Sequence, residues 1–223
     1  GRAFYNCSGL TGDLVIPNNV TYIGQYAFYG CHNFKGTLTL SDKLVAIGNY
    51  AFSRNSNNMG FTGDLVIPNN VKTIGNYAFQ YCSNFKSLTL SENLTSIGSN
   101  AFYYCSGFTS NLVIPNSVTT IDSYAFYNCS GFKSLTLSES LTSIASNTFY
   151  GCTGFSGNLV IPNSVTTIGN NAFYNCRGFN GTLTLSESLT SIGTYAFSSS
   201  SSYRMCFKGD LMIPNSVTSI GSN

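Results

Sequence analysis

A phenylalanine preceded by Ala or Thr returns nine times in this chain, at Phe4, Phe28, Phe52, Phe79, Phe102, Phe126, Phe149, Phe173 and Phe197, at intervals of about 23 to 27 residues. A segment of about two dozen residues cannot enclose a core by itself, so each copy must bury its apolar side against the next. The chain is therefore expected to wind as one continuous solenoid over residues 1–223, in nine coils of about 23 to 28 residues that begin at Ala3, Ala27, Ala51, Ala78, Ala101, Ala125, Thr148, Ala172 and Ala196. Such a repeat constrains shape closely and chemistry very little.

The fifth coil shows the internal pattern: Phe102, Cys105, Phe108, Leu112, Ile114, Val118 and Ile121 are its core positions. Leu112-Val113-Ile114 alternates in and out and reads as a short strand, closed by the turn residues Pro115-Asn116. After Ile121 and its equivalents comes a slot filled by Gly24, Gly48, Gly75, Gly98, Gly169, Gly193 and Gly221, read as a turn that a side chain would strain, although Asp122 and Ala145 occupy it too. The stretch from there to the Cys has room for a turn or two of helix at most. The remaining phenylalanines, Phe34, Phe61, Phe85, Phe108, Phe132, Phe155, Phe179 and Phe207, open the strand segment, so all seventeen are expected in two buried files.

The run Phe132-Lys133-Ser134-Leu135-Thr136-Leu137 fits the LxxLxL core of leucine-rich repeats, and IPxxVxxIGxxAFxxC recurs in unit after unit. In this the chain resembles the BspA-like leucine-rich repeats over essentially its whole length. The resemblance implies a leucine-rich-repeat solenoid of short parallel β-strands and turns with short helical turns. It also implies an extracellular or cell-surface location and a role in adhesion, with a host or bacterial surface protein, an extracellular-matrix protein among them, or a glycan as partner. The pattern departs from leucine-rich repeats in general in one respect: no asparagine holds a fixed place after LxxLxL, where Asn19, Asn70 and Asn93 share a column with Ser117, Ser140, Ser164, Ser188 and Ser216.

Only 8% of the residues are charged and the net charge is +2, so solubility rests on Ser, Thr, Asn and Gly. The ten basic residues are scattered, which argues against nucleic acid as a partner. No apolar run approaches the roughly 20 residues of a membrane span, so this segment is not expected to insert in a membrane. Both ends fall inside the repeat with no visible cap, which reads as a fragment of a longer protein.

Odd coils carry Ile-Pro-Asn, with Pro17, Pro68, Pro115, Pro162 and Pro214, whereas even coils carry Asp42, Glu92, Glu139 and Glu187, and three of these also carry Lys35, Lys86 and Lys133. Skipping a coil separates like charges by about 10 Å, close to the Debye length; duplication of a two-coil unit accounts for the same alternation.

Seven of the eight cysteines, Cys7, Cys31, Cys82, Cys105, Cys129, Cys152 and Cys176, fall three residues after the repeated phenylalanine. They read as a file of buried thiols, with disulfides between neighbouring coils as the alternative; Cys206 lies in an insertion and is expected to be exposed. No CxxC or CxxH spacing points to a metal. The single histidine, His32, reads as a surface residue rather than a partner of Cys31, and Asp13, Asp64 and Asp210 occupy equivalent slots too far apart to pair. No catalytic residue, cofactor site or metal site is assigned, and the chain is expected not to be an enzyme.

Binding is left to the surface. Two tyrosine rows are candidates: Tyr5, Tyr29, Tyr103, Tyr127, Tyr150 and Tyr174 follow the repeated phenylalanine, and Tyr26, Tyr50, Tyr77, Tyr124 and Tyr195 precede the next Ala. The outward row of the strand is another: Val15, Thr39, Val66, Thr89, Val113, Thr136, Val160, Thr184 and Met212. Insertions at Ser53 to Gly60 and Ser198 to Cys206 are a third. The expected function is a non-enzymatic interaction or adhesion segment, with an architectural stalk, or glycan binding through the tyrosines, as alternatives.

Overall fold

The computed structural model describes residues 1–55, 60–200 and 204–222. Within them the chain is a stack of coils, stitched to one another along up to three separate segments. The first segment is the strand predicted around Leu112–Val113: eight coils carry it, from Leu14–Val15 to Phe179–Thr184. The second is a two-residue strand of the type Thr73–Ile74, present in all nine coils and ending at Ser219–Ile220. All strand pairing is parallel, and residues of one coil lie opposite their equivalents in the next, as in Leu135 opposite Leu112 and Ile47 opposite Ile23.

The third segment is the one expected to hold a helical turn, and among the described residues no helix forms there. Most coils instead place a residue in the left-handed region on either side of the Ala-Phe pair: Tyr77 at φ 58° and Tyr81 at 61°, Tyr124 at 62° and Asn128 at 54°. A left-handed residue every fourth position interrupts any α-helix. The alternation turns every second N–H along the stack, so that Tyr77, Phe79 and Tyr81 donate to the carbonyls of Ser99, Ala101 and Tyr103 in the following coil at 2.8 to 2.9 Å. The same three bonds recur at every coil junction from Arg2 to Asn175.

Between the three segments the two phenylalanine files run through the core as expected, except at their ends, where Phe4 is exposed and Phe197 and Phe207 are half-buried because a neighbouring coil packs on one side only. Phe4 through Phe197 stack with ring centroids 5.1 to 5.7 Å apart and planes within 13°. The second file, Phe34 to Phe207, meets the first edge-on, as Phe132 does Phe126 at 6.4 Å. Phe79 to Phe179 are essentially inaccessible to solvent.

The glycine slot has a different cause from the one expected. None of Gly24, Gly48, Gly75, Gly98, Gly169, Gly193 and Gly221 has a positive φ; from Gly48 onward what crowds a side chain is the preceding coil. A Cβ on Gly75 would lie 2.7 Å from the Asn49 nitrogen and 2.8 Å from the Gly48 carbonyl carbon, and one on Gly169 would lie 2.6 Å from the Ser146 nitrogen. The second-strand ladder runs unbroken through the first five coils and again through the last four; strand Ser143–Ile144, which leads into Ala145, is not paired with Thr120–Ile121, which leads into Asp122. Only at this junction does neither coil have glycine in the slot. A Cβ on one side of a junction leaves the ladder closed, since the Asp122 N–H still donates to the Ile97 carbonyl at 3.0 Å and the Gly169 N–H to that of Ile144 at 2.8 Å; the unpaired junction is the one with a Cβ on both sides. Gly75→Ala should therefore cost about 1 to 3 kcal/mol by overpacking, with its ladder bonds kept as they are at Asp122, whereas Ala145→Gly should slow amide exchange at residues 142–145; unchanged exchange there would show that the methyl is not what opens the seam.

The odd-even alternation also has a hydrogen-bond basis that charge spacing did not anticipate. The asparagine of the first four Ile-Pro-Asn runs accepts a backbone N–H from the acidic residue of the next coil: Asn18 from Asp42, Asn69 from Glu92, Asn116 from Glu139 and Asn163 from Glu187, at 2.9 to 3.1 Å. The even coil replies with a buried serine, Ser138 donating to the Val118 carbonyl and Ser186 to that of Val165, both at 2.7 Å. First strands pair as ladders only within these couples, while single backbone bonds such as Thr109 N–H to the Lys86 carbonyl at 2.8 Å link one couple to the next. The mixed Asn/Ser column after the strand is also used: Asn70, Asn93 and Ser117 donate to carbonyls of the preceding coil.

Candidate functional site

The left-handed positions that stitch the coils also aim side chains outward, and at seven of them the side chain is a tyrosine: Tyr26, Tyr50, Tyr77, Tyr81, Tyr104, Tyr124 and Tyr195. That conformation costs a residue with a Cβ about 1 to 2 kcal/mol. Asn and Gly bear it more easily and fill other positions of the same two columns, at Asn100, Asn147, Asn171, Gly30 and Gly151.

The two tyrosine rows expected from the sequence lie side by side and mesh. Tyr26, Tyr50 and Tyr77 stack at 4.7 and 4.5 Å, Tyr5 stacks on Tyr29 at 5.1 Å, and Tyr29 meets Tyr26 edge-on at 5.6 Å. Farther along, Tyr103, Tyr127, Tyr150 and Tyr174 stack at 4.5 to 5.0 Å, with Tyr195 edge-on to Tyr174. Tyr81 and Tyr104, which the row logic passed over, join at 5.6 to 5.8 Å through Tyr103 and Tyr127; their signal was the tyrosine two places after the repeated phenylalanine. The guanidinium of Arg2 sits over Tyr5 and Tyr26 at 5.3 and 5.2 Å. Partial burial, then neighbouring tyrosines, raises the hydroxyl pKa of Tyr29, Tyr50, Tyr103 and Tyr127, so these four stay protonated at neutral pH.

The strand row lies on the first-strand segment, elsewhere on the coil. Val15, Val66, Val113, Val160 and Met212 are exposed, and so are Thr39, Thr89, Thr136 and Thr184 between them. The insertions fall partly outside the described residues, at 56–59 and 201–203. At the start of the first one, Arg54 folds inward: it is 4% exposed, and its Nη2 donates to the His32 carbonyl at 2.8 Å. A Cβ on Gly60 would collide with that guanidinium. His32 is consequently half-buried rather than a free surface residue, and burial with Arg54 nearby lowers its pKa.

The cysteine file consists of free thiols, and Cys206 is exposed as expected. From Cys31 to Cys176 each buried thiol donates to the carbonyl of a repeated phenylalanine one coil back, Cys105 to Phe79 and Cys129 to Phe102 at 3.0 Å. Burial pushes the Cys82 thiol up to about 12 and those of Cys105, Cys129, Cys152 and Cys176 strongly upward. Among the described residues no group of three or more His, Cys, Asp or Glu could hold a metal ion, and no helix is long and apolar enough to cross a membrane.

A sequence profile described as BspA type leucine rich repeat region matches residues 1–130, 57–177 and 146–223. No curated protein sequence matches the chain. Among solved structures, a leucine-rich repeat protein from Eubacterium ventriosum superposes with a TM-score of 0.67 at 25% identity, over 94% of this chain and 57% of that one. A leucine-rich repeat protein from Bacteroides ovatus gives 0.63 at 21% identity, over 99% and 77%. A leucine rich cell surface protein from Faecalibacterium prausnitzii gives 0.53 at 24% identity, over 100% and 62%. The chain thus spans between 57 and 77% of the length of these three.

Proposed function

Because this chain belongs to the BspA-type leucine-rich repeat family, we propose that it is a non-enzymatic binding segment of an extracellular or cell-surface protein, and that the tyrosine strip is its contact surface for a host or bacterial surface protein. The observation that carries this reading is the choice of tyrosine at seven left-handed positions where Asn or Gly is less strained. Strain retained at a surface position is the kind of feature that function maintains, and tyrosine supplies large contact area and a hydroxyl at low entropic cost. The cell-surface protein of Faecalibacterium prausnitzii supports the location. Glycan binding is the weaker reading, because a sugar packs on an open ring face and here most faces are covered by the next tyrosine, leaving edges and hydroxyls outward.

The test is binding of the chain to intact host cells, bacterial cells and immobilised extracellular-matrix proteins, with and without Tyr77→Asn, Tyr104→Asn and Tyr124→Asn together, which keep a residue that tolerates the left-handed conformation at each site. Loss of three contact tyrosines should weaken capture by about tenfold or more, with the circular dichroism spectrum retained. Equal capture by the triple variant would remove the strip from the function, and no capture on any surface would favour the stalk.

A further inference from the structure

The strand face carries a charge pattern that the tyrosine strip lacks. Lys86 and Lys133 stand at one edge of it, in the fourth and sixth coils, and Glu92 and Glu139 stand at the other edge of the same two coils. All four are exposed. Six residues separate the lysine from the glutamate of one coil, at most about 20 Å of chain, with strand residues between them and the glutamate in the turn that follows the strand. Two coils put about 10 Å between successive members of each row. Between the rows run Val66, Val113 and Val160, 52 to 55% exposed, alternating with Thr89 and Thr136. Asp64, on the lysine side, is occupied by the Ser87 hydroxyl at 2.6 Å.

A basic row and an acidic row that run parallel, with an uncharged band between them, are complementary to themselves. A half-turn about an axis parallel to the stack reverses the strand direction and leaves the position along the stack unchanged. It sets Lys86 against Glu92 of a second copy, Lys133 against Glu139 of that copy, and both pairs again in reverse, while Val113 faces Val113. The spacing matches without adjustment because the rows are equally far apart on both molecules. We propose that this strand face is a self-docking surface whose partner is a second copy of the chain, joined face to face with strands antiparallel across a two-fold axis. The inference is independent of the tyrosine strip, which lies on another segment of the coil and stays free in such a pair.

The experiment is sedimentation velocity of the 223-residue chain carrying Cys206→Ser, so that the exposed thiol cannot cross-link, from about 1 to about 500 μM at about 50 mM and about 500 mM salt. A monomer–dimer equilibrium weakened by salt is expected. Lys86→Glu with Lys133→Glu makes both edges acidic, and Glu92→Lys with Glu139→Lys makes both basic; each variant alone should associate about tenfold or more weakly than the parent. Mixed in equal amounts, the two variants should form a heterodimer. All four positions are exposed, so the substitutions leave the core intact, which far-ultraviolet circular dichroism checks. A chain that stays monomeric throughout, self-association that ignores both charge variants, or a mixture that remains monomeric would overturn the proposal; none of these outcomes bears on cell capture through the tyrosines.

Discussion

Raising the pH should unfold this protein steeply, between about pH 9 and 11, with about five protons released per molecule. Cys82, Cys105, Cys129, Cys152 and Cys176 are buried and neutral, each with a pKa raised by desolvation. A thiol of the unfolded chain ionises near about pH 8.5. Above that value the unfolded state holds fewer protons than the native state, so stability is complete below it and falls as pH rises toward the folded pKa. Each thiol removes about 1.4 kcal/mol per pH unit in that window, and five together remove about 7. A domain stable by about 5 to 15 kcal/mol cannot withstand that for much more than two units. Tyr103 and Tyr127, also shifted upward, act in the same direction at higher pH. Urea midpoints measured from pH 7 to 11 give the slope, and Cys105→Ala with Cys129→Ala should reduce it by about two protons. Stability that stays level to pH 11 would mean the thiols ionise without unfolding.

Phe126→Ala should cost about 3 to 5 kcal/mol. Its ring is inaccessible to solvent, stacks on Phe102 at 5.2 Å and Phe149 at 5.7 Å, and meets Phe132 edge-on. Removal leaves a gap that two backbone ladders prevent from closing, since the third segment and the first strands both tie this coil to a neighbour. At Phe4, 44% exposed and stacked on Phe28 alone, the same change should cost about 1 kcal/mol. Urea denaturation of the two variants measures the ratio; equal losses would show that the stack does not act through neighbouring rings. The contrast follows from a fold whose stability sums over coil junctions.

The period of Phe4 to Phe197 was legible because a buried aromatic file needs the same residue type in every coil, and sequence records residue type directly. The reasons for the glycine slot and the Asn116–Glu139 bond were hidden, because each depends on a partner one coil away at a distance that only stacking defines. The tyrosine rows could be read as rows, but not as left-handed positions, since sequence logic assigns positive φ to Gly and Asn and gives no sign that Tyr124 adopts it. The same tyrosines and asparagines are why a helical turn was expected where none forms. Arg54 was missed because a charged residue at the start of an insertion reads as solvated, whereas its guanidinium lies under the chain against the His32 carbonyl.

The coupling of Asn69, Asn116 and Asn163 to the acidic residue of the coil that follows gives the array a parity. Inserting or losing one coil would bring two proline-bearing coils into contact, or two serine-bearing ones, and break the pairing of asparagine with acidic residue at that junction. Loss or gain of two coils leaves every remaining junction with its proper neighbours. Genetic change in reach is therefore expected in even steps, which would let such a segment lengthen or shorten while the junction chemistry stays constant.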